Sequence, residues 1–138
     1  MTEFRFLDTN ILLYLYDRRD ERKRRRAAEI FRECWEAKSL VISTQVIQEF
    51  YSAGTRKLGL EPSRAYELLV DLCRLRVVSI GCSHILRATE IERRFAVSFW
   101  DALILSAAQA AGASLLFSED LQHGQKYGEV QVQNPFQH

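Results

Sequence analysis

The chain has 138 residues, 47% of them hydrophobic, which suffices for one compact domain with a core and leaves little room for a second, so residues 1–138 are read as a single domain. A formal charge of +1 leaves nothing in the overall balance that demands nucleic acid or an anionic membrane as partner, so charge has to be read locally. Cys34, Cys73 and Cys82 are odd in number and lack any C-x-x-C pair, against a disulfide framework or a zinc site, and no apolar run approaches the roughly 18 residues of a membrane span.

Phe4-Arg5-Phe6-Leu7 reads as a short buried strand that delivers the carboxylate of Asp8 to its carboxyl end, followed by an apolar helix or turn over Ile11–Tyr16. From Glu21 to Lys38 the apolar residues Ala27, Ala28, Ile30, Phe31, Cys34 and Trp35 recur three and four apart, the pattern of an amphipathic helix with a basic outer face. Leu40-Val41-Ile42 reads as a second strand, and Ser43 or Thr44 caps a helix from about Gln45 to Arg56. After a break at Gly59 and Pro62 comes a helix with the stripe Ala65, Leu68, Leu69, Leu72 and Cys73. Val77–Ile80 reads as the third strand, Ser83–Phe95 as a helix, and Ser98–Ala111 as another, stopped by Gly112. Ser114–Phe117 is the fourth strand, Ser118-Glu119-Asp120 opens a polar loop, and Val130-Gln131-Val132 is a fifth, short edge strand ended by Asn134-Pro135. With no basic-then-apolar leader either, the chain is expected to be cytoplasmic, with no membrane partner.

Strands alternating with helices predict a mainly parallel sheet of four to five strands, and right-handed crossovers put all its carboxyl ends on one edge. Asp8 and Asp120 lie just past strand ends. The helix after the second strand starts at that edge, so Glu49 lies about 7 to 9 Å from it at about 1.5 Å of rise per residue. The helix feeding into the fourth strand runs antiparallel to it and starts at the same edge with Asp101 in its first turn. Four carboxylates are therefore expected around one cavity. Alone they repel and raise one another's pKa; a divalent cation reverses the sign of that effect. Mg²⁺ takes oxygen ligands and keeps open positions for water and phosphate, which points to hydrolysis of a phosphodiester.

Asp8-Thr9-Asn10, Glu49 within Val46-Ile47-Gln48-Glu49-Phe50, Asp101 within Phe99-Trp100-Asp101-Ala102-Leu103-Ile104, and Ser118-Glu119-Asp120 resemble the successive acidic motifs of PIN-domain ribonucleases, and within them the VapC-like toxins of toxin–antitoxin pairs. The resemblance covers essentially the whole chain. It implies a Rossmann-like α/β/α three-layer fold and a Mg²⁺- or Mn²⁺-dependent endoribonuclease. It also implies neutralisation by a cognate antitoxin inserted into the active-site groove, and a homodimer. Asp8, Glu49, Asp101 and Asp120 then take the place of the metal-site acids, with Thr9 and Ser118 as hydroxyls supporting them.

Each acid also has an ordinary local role. Asp101 follows Ser98 at capping-box spacing, Asp8 suits a helix cap, and Asp120 suits an Asx-turn. Glu49 beside Ile47 and Phe50 is harder to explain without a cationic partner. In the basic run, Arg22, Lys23, Arg25 and Arg26 are candidates for RNA phosphates, against the default of a solvated helix face. Trp100 and Tyr14 are candidates for stacking on bases, against the default of the core, and the Ala65–Leu72 stripe is a candidate dimer surface against the same default; His123 is a marginal candidate near Asp120, and His84 and His138 carry nothing specific. Two rival functions remain: a PIN-like module that binds RNA or protein without cutting, and a haloacid-dehalogenase-type aspartyl phosphatase. The latter needs a second acid where Asn10 stands.

Overall fold

A computed structural model describes residues 3–137. In chain order the elements are β1 (Phe4–Leu7), α1 (Thr9–Tyr14), α2 (Glu21–Glu36), β2 (Leu40–Ser43), α3 (Thr44–Arg56), α4 (Pro62–Cys73), β3 (Arg76–Val78), α5 (Cys82–Phe95), α6 (Phe99–Ala110), β4 (Ala113–Phe117), β5 (Lys126–Tyr127) and β6 (Val130–Gln133). The strands form one sheet in the order β3-β2-β1-β4-β6-β5, parallel except for the β5–β6 pair.

This order dictates the layers. The crossovers from β1 to β2 and from β2 to β3 step the same way, so with right-handed connections α1 to α4 cover one face; the step from β3 back past β1 to β4 is reversed and puts α5 and α6 on the other. The observed packing agrees, with α3 against α1 and α4, α2 against α1, and α5 along α6. The order of strands thus reverses its stepping between β1 and β4, and the crevice outside the carboxyl ends of strands at such a point is where open α/β sheets bind ligands.

β1 lies inside the sheet between β2 and β4, which explains why Phe6 and Leu7 are fully buried. α6 is apolar on every side and buries seven consecutive residues, Ala102 to Ala108, as a helix sandwiched between α5 and the sheet must. The stripe Ala65, Leu68 and Leu72 of α4 is buried. Gly112 stops α6 at φ +70, a left-handed value that glycine adopts without strain.

The sheet corrects the sequence reading in three places. It has six strands, not four or five, and β6 is an inner strand, because the two-residue strand β5 pairs antiparallel to it across Gly128-Glu129 and takes the edge. Two residues carry no periodicity, and the signal that was available was the glycine of the tight turn, at φ +64. β3 ends at Val78 rather than Ile80, since the Ile80 N–H leaves the ladder to donate to Thr44 Oγ1 at 3.1 Å. Among the described residues no helix is long and apolar enough to cross a membrane.

Candidate active site

The site is assembled by the ladder between β1 and β4. Leu7 pairs with Phe117, the Asp8 N–H extends the pairing one residue further by donating to Phe117 O at 3.0 Å, and Ser118 N–H donates to Gln133 O at 3.1 Å. Asp8 and Ser118 therefore leave adjacent strands side by side. Ser118 Oγ donates to Asp8 Oδ2 at 2.8 Å and accepts from the Asp120 N–H at 3.2 Å, so one hydroxyl holds the first acid and shapes the loop that carries the fourth. Asp8 Oδ1 accepts from the Thr9 N–H at 2.7 Å, which makes Asp8 the N-cap of α1 as well as a cleft residue. Thr9 Oγ1 donates to Glu49 Oε1 at 2.7 Å, and Asn10 Nδ2 donates to Asp120 Oδ2 at 3.2 Å. Of the three consecutive residues after β1, Asp8 is itself one of the acids, and Thr9 and Asn10 bond two more.

The fourth, Asp101, arrives on the opposite layer. Ser98 caps α6 by accepting from the Asp101 N–H at 3.1 Å, which fixes the first turn of that helix at the sheet edge. Asp8, Glu49, Asp101 and Asp120 all line one cleft of about 400 Å³. Gln45 ties the layers together over that edge: its Nε2, from the first turn of α3, donates to Trp100 O at 3.1 Å, while its buried Oε1 has no hydrogen-bond partner among the described residues.

The electrostatics follow from burial and like charge. Asp8 is 5% exposed, and burial pushes its carboxyl up to about 7, against the pull of Ser118 and the Thr9 N–H and with further upward pressure from Asp120 and Glu49. Asp120 is also raised, first by desolvation, then by Asp101, Glu119 and Glu49. Among the described residues no group of three or more His, Cys, Asp or Glu side chains stands together closely enough to hold a metal ion by itself. The acids form an open ring. The carboxylate oxygens of this cleft, which Arg19, Arg56 and Lys57 also line, fit a hard divalent ion that keeps several waters and takes only one or two carboxylates directly.

The other candidates fall elsewhere. Lys23 Nζ donates to Glu119 Oε2 at 2.9 Å and to Tyr14 OH at 3.1 Å, and Tyr14 OH donates to Glu119 Oε1. This network anchors the residue next to Asp120 to α1 and α2. Arg22, Arg25 and Arg26 line a separate hollow beside Pro135 and Phe136, and none of the four basic candidates lines the cleft. His123 staples the C-terminal turn, its Nδ1 accepting from the Asn134 N–H at 2.9 Å, and His84 Nδ1 likewise accepts from the Gly81 N–H at the start of α5. His138 lies outside the described residues. Tyr14 is half-buried at the cleft, but Trp100 is 62% exposed there and corrects the default of the core; apolar neighbours on all sides of α6 gave no hint of which face was open. Sequence reasoning missed Gln45, Arg19, Arg56 and Lys57, which share the cleft with the acids.

Residues 5–128 match the family model of the PIN domain. The chain belongs to the PIN-domain family. Comparison with curated proteins gave no match. Among solved structures, this PIN domain is similar to Mycobacterium tuberculosis VapC20, described as a sarcin-ricin loop cleaving toxin, with 22% identity, a TM-score of 0.65, and coverage of 84% of this chain and 91% of that one. It is similar to DNA-bound VapBC from Salmonella typhimurium, with 18% identity, a TM-score of 0.68, and coverage of 95% and 97%. A toxin–antitoxin complex from Klebsiella pneumoniae gives 20% identity, a TM-score of 0.69 and the same coverage. At these identities the likeness establishes the three-layer fold.

Proposed function

We propose that this PIN domain is a divalent-metal-dependent endoribonuclease, with Mg²⁺ as the working ion and Mn²⁺ able to replace it, acting in the cytoplasm as the toxin of a toxin–antitoxin pair. One observation carries the reading: four carboxylates from distant parts of the chain line a single cleft at the point where the sheet reverses its order. The toxin assignment is supported by the family and by the toxins and toxin–antitoxin complexes whose fold it shares. By the same analogy a cognate antitoxin covers the cleft and two copies of the chain form a homodimer.

In this reading Asp8, Asp101 and Asp120 hold the ion and Glu49 completes the ring. When bound, the ion supplies the charge that activates water and stabilises the leaving oxygen of the phosphodiester. The chain's own part is positioning. Thr9 fixes the direction of Glu49, Ser118 holds Asp8 and the Asp120 backbone, and Asn10 restrains Asp120. Asn10 also argues against the aspartyl phosphatase, because the position that would need an acid carries an amide that donates to Asp120. RNA cleavage assays of wild type, Asp8→Asn and Asp101→Asn in Mg²⁺ test the reading. Both variants should lose nearly all activity, as should wild type in EDTA; cleavage at the wild-type rate by either variant overturns it, and an intact protein that binds RNA but never cuts it would favour the non-catalytic module.

A further inference from the structure

The overall charge of +1 hides a local excess. A second hollow of about 770 Å³ meets the acidic cleft at Asp17, Arg19, Lys57 and Leu58, which line both. Five cations and two acids line this hollow, Arg18, Arg24 and Arg64 among the cations. Both acids are already engaged: Asp17 accepts two hydrogen bonds at 2.9 Å from the Arg19 guanidinium, and Glu21 is paired with Arg24 and Arg25. Arg18 and Lys57 are exposed and make no ion pair among the described residues, and Arg64 has only a 3.3 Å contact with an exposed Glu67. The charge that remains for a partner is therefore positive, exposed and continuous with the cleft.

We propose that this hollow is the track along which single-stranded RNA leaves the cleft on one side of the scissile bond, its phosphates held by Arg18, Lys57 and Arg64. The inference rests on the nuclease reading above and adds where the substrate lies. A ring of acids repels the flanking phosphates that substrate binding must bring close, and a cationic strip at its margin offsets that repulsion without entering the ring. The alternative strip fails on continuity. The hollow lined by Arg22, Arg25 and Arg26 shares no lining residue with the cleft, and there Arg26 is tied to Glu29 and to Pro135 O while Arg25 pairs with Glu21.

The test is fluorescence anisotropy of the full chain with a labelled single-stranded oligoribonucleotide of mixed sequence, in Ca²⁺, across a salt series. The triple variant Arg18→Ala/Lys57→Ala/Arg64→Ala should bind at least about tenfold more weakly than wild type at low salt. Its log–log salt slope should flatten by about two, since each phosphate contact on a single strand contributes about 0.7. Arg22→Ala/Arg25→Ala should change neither, Lys57→Gln alone should lose a proportionate share, and cleavage in Mg²⁺ by the triple variant should show a raised KM at near-wild-type kcat. Unchanged affinity and slope in a triple variant, beside a wild type that binds and cleaves, overturns the track and leaves the nuclease reading standing. If the triple variant loses polyglutamate binding instead and RNA binding is unaffected, the hollow serves an acidic protein segment and the proposal is likewise overturned. A wild type that neither binds nor cuts RNA removes both.

Discussion

Ser118 Oγ donates to Asp8 Oδ2 at 2.8 Å, joining residues 110 apart in sequence whose backbones leave neighbouring parallel strands at the same level. The bond is wholly buried, and the same oxygen accepts from the Asp120 N–H. Ser118→Ala removes the hydroxyl that makes both bonds. It is expected to cost about 1–3 kcal/mol, the usual penalty for stripping a partner from a buried polar group, and to cost more at pH 8 than at pH 5 because the ionised Asp8 depends on the donor most. Urea denaturation at the two pH values measures both the loss and its pH dependence.

The raised Asp8 carboxyl makes a signed prediction for the metal-free protein. Its value in the folded state is about 7, against an ordinary 3.8, so between these limits the folded state holds the proton more tightly than the unfolded state. Stability contributed by this group is therefore full below about pH 4 and is lost as pH rises through about 7, a fall on the order of 4 kcal/mol at about 1.4 kcal/mol per unit. Asp8→Asn should flatten that part of the profile. A set of denaturation curves in EDTA from about pH 4 to about 8 would show it.

Lys23, Glu119 and Tyr14 form the most buried ion-pair network among the described residues, with Lys23 and Glu119 side chains 25% and 18% exposed. Removing one partner from such a pair leaves the other short of compensation. Lys23→Met is expected to destabilise by about 1–3 kcal/mol and Tyr14→Phe by about 1 kcal/mol, with a coupling of about 0.5–3 kcal/mol in the double variant. A double-mutant cycle in urea reads all three quantities. Because Glu119 precedes Asp120, both variants should also lower cleavage.

Among the described residues the Gln45 side chain makes one hydrogen bond, to Trp100 O, and its Oε1 has no partner. Gln45→Met loses the first and relieves the second, so stability should stay within about 1 kcal/mol of wild type. The first turn of α6, with Asp101, is then no longer tied to α3. Divalent-ion affinity should fall by several-fold, which titration calorimetry with Mn²⁺ measures.

Much of this arrangement is legible in the sequence. Asp8 stood where an apolar strand ran out, Asp101 stood three residues after a capping Ser98, and alternation of strands with helices placed both at one edge. Ser98 does cap α6 and Asp8 does cap α1, so the local explanations hold and coexist with the shared cleft. The β5–β6 hairpin was not legible because Lys126–Tyr127 is too short to show a period. Arg56 and Lys57 were not, because nothing local reveals that the face of α3 carrying Gln45 and Glu49 lines the cleft as far as the end of the helix. Lys23 belonged to a run that looked like a solvated basic face, and only its contact with Glu119, 96 residues away, distinguishes it.

The most direct measurement of the central claim is thermal unfolding of wild type, Asp8→Asn and Asp120→Asn, each in EDTA and in excess Mg²⁺. If the cleft is a ring of mutually repelling carboxylates made tolerable by a cation, both variants melt in EDTA at or above the wild-type temperature, and Mg²⁺ raises Tm for wild type alone. Variants that melt well below wild type in EDTA, with Mg²⁺ shifting none of the three, would contradict it.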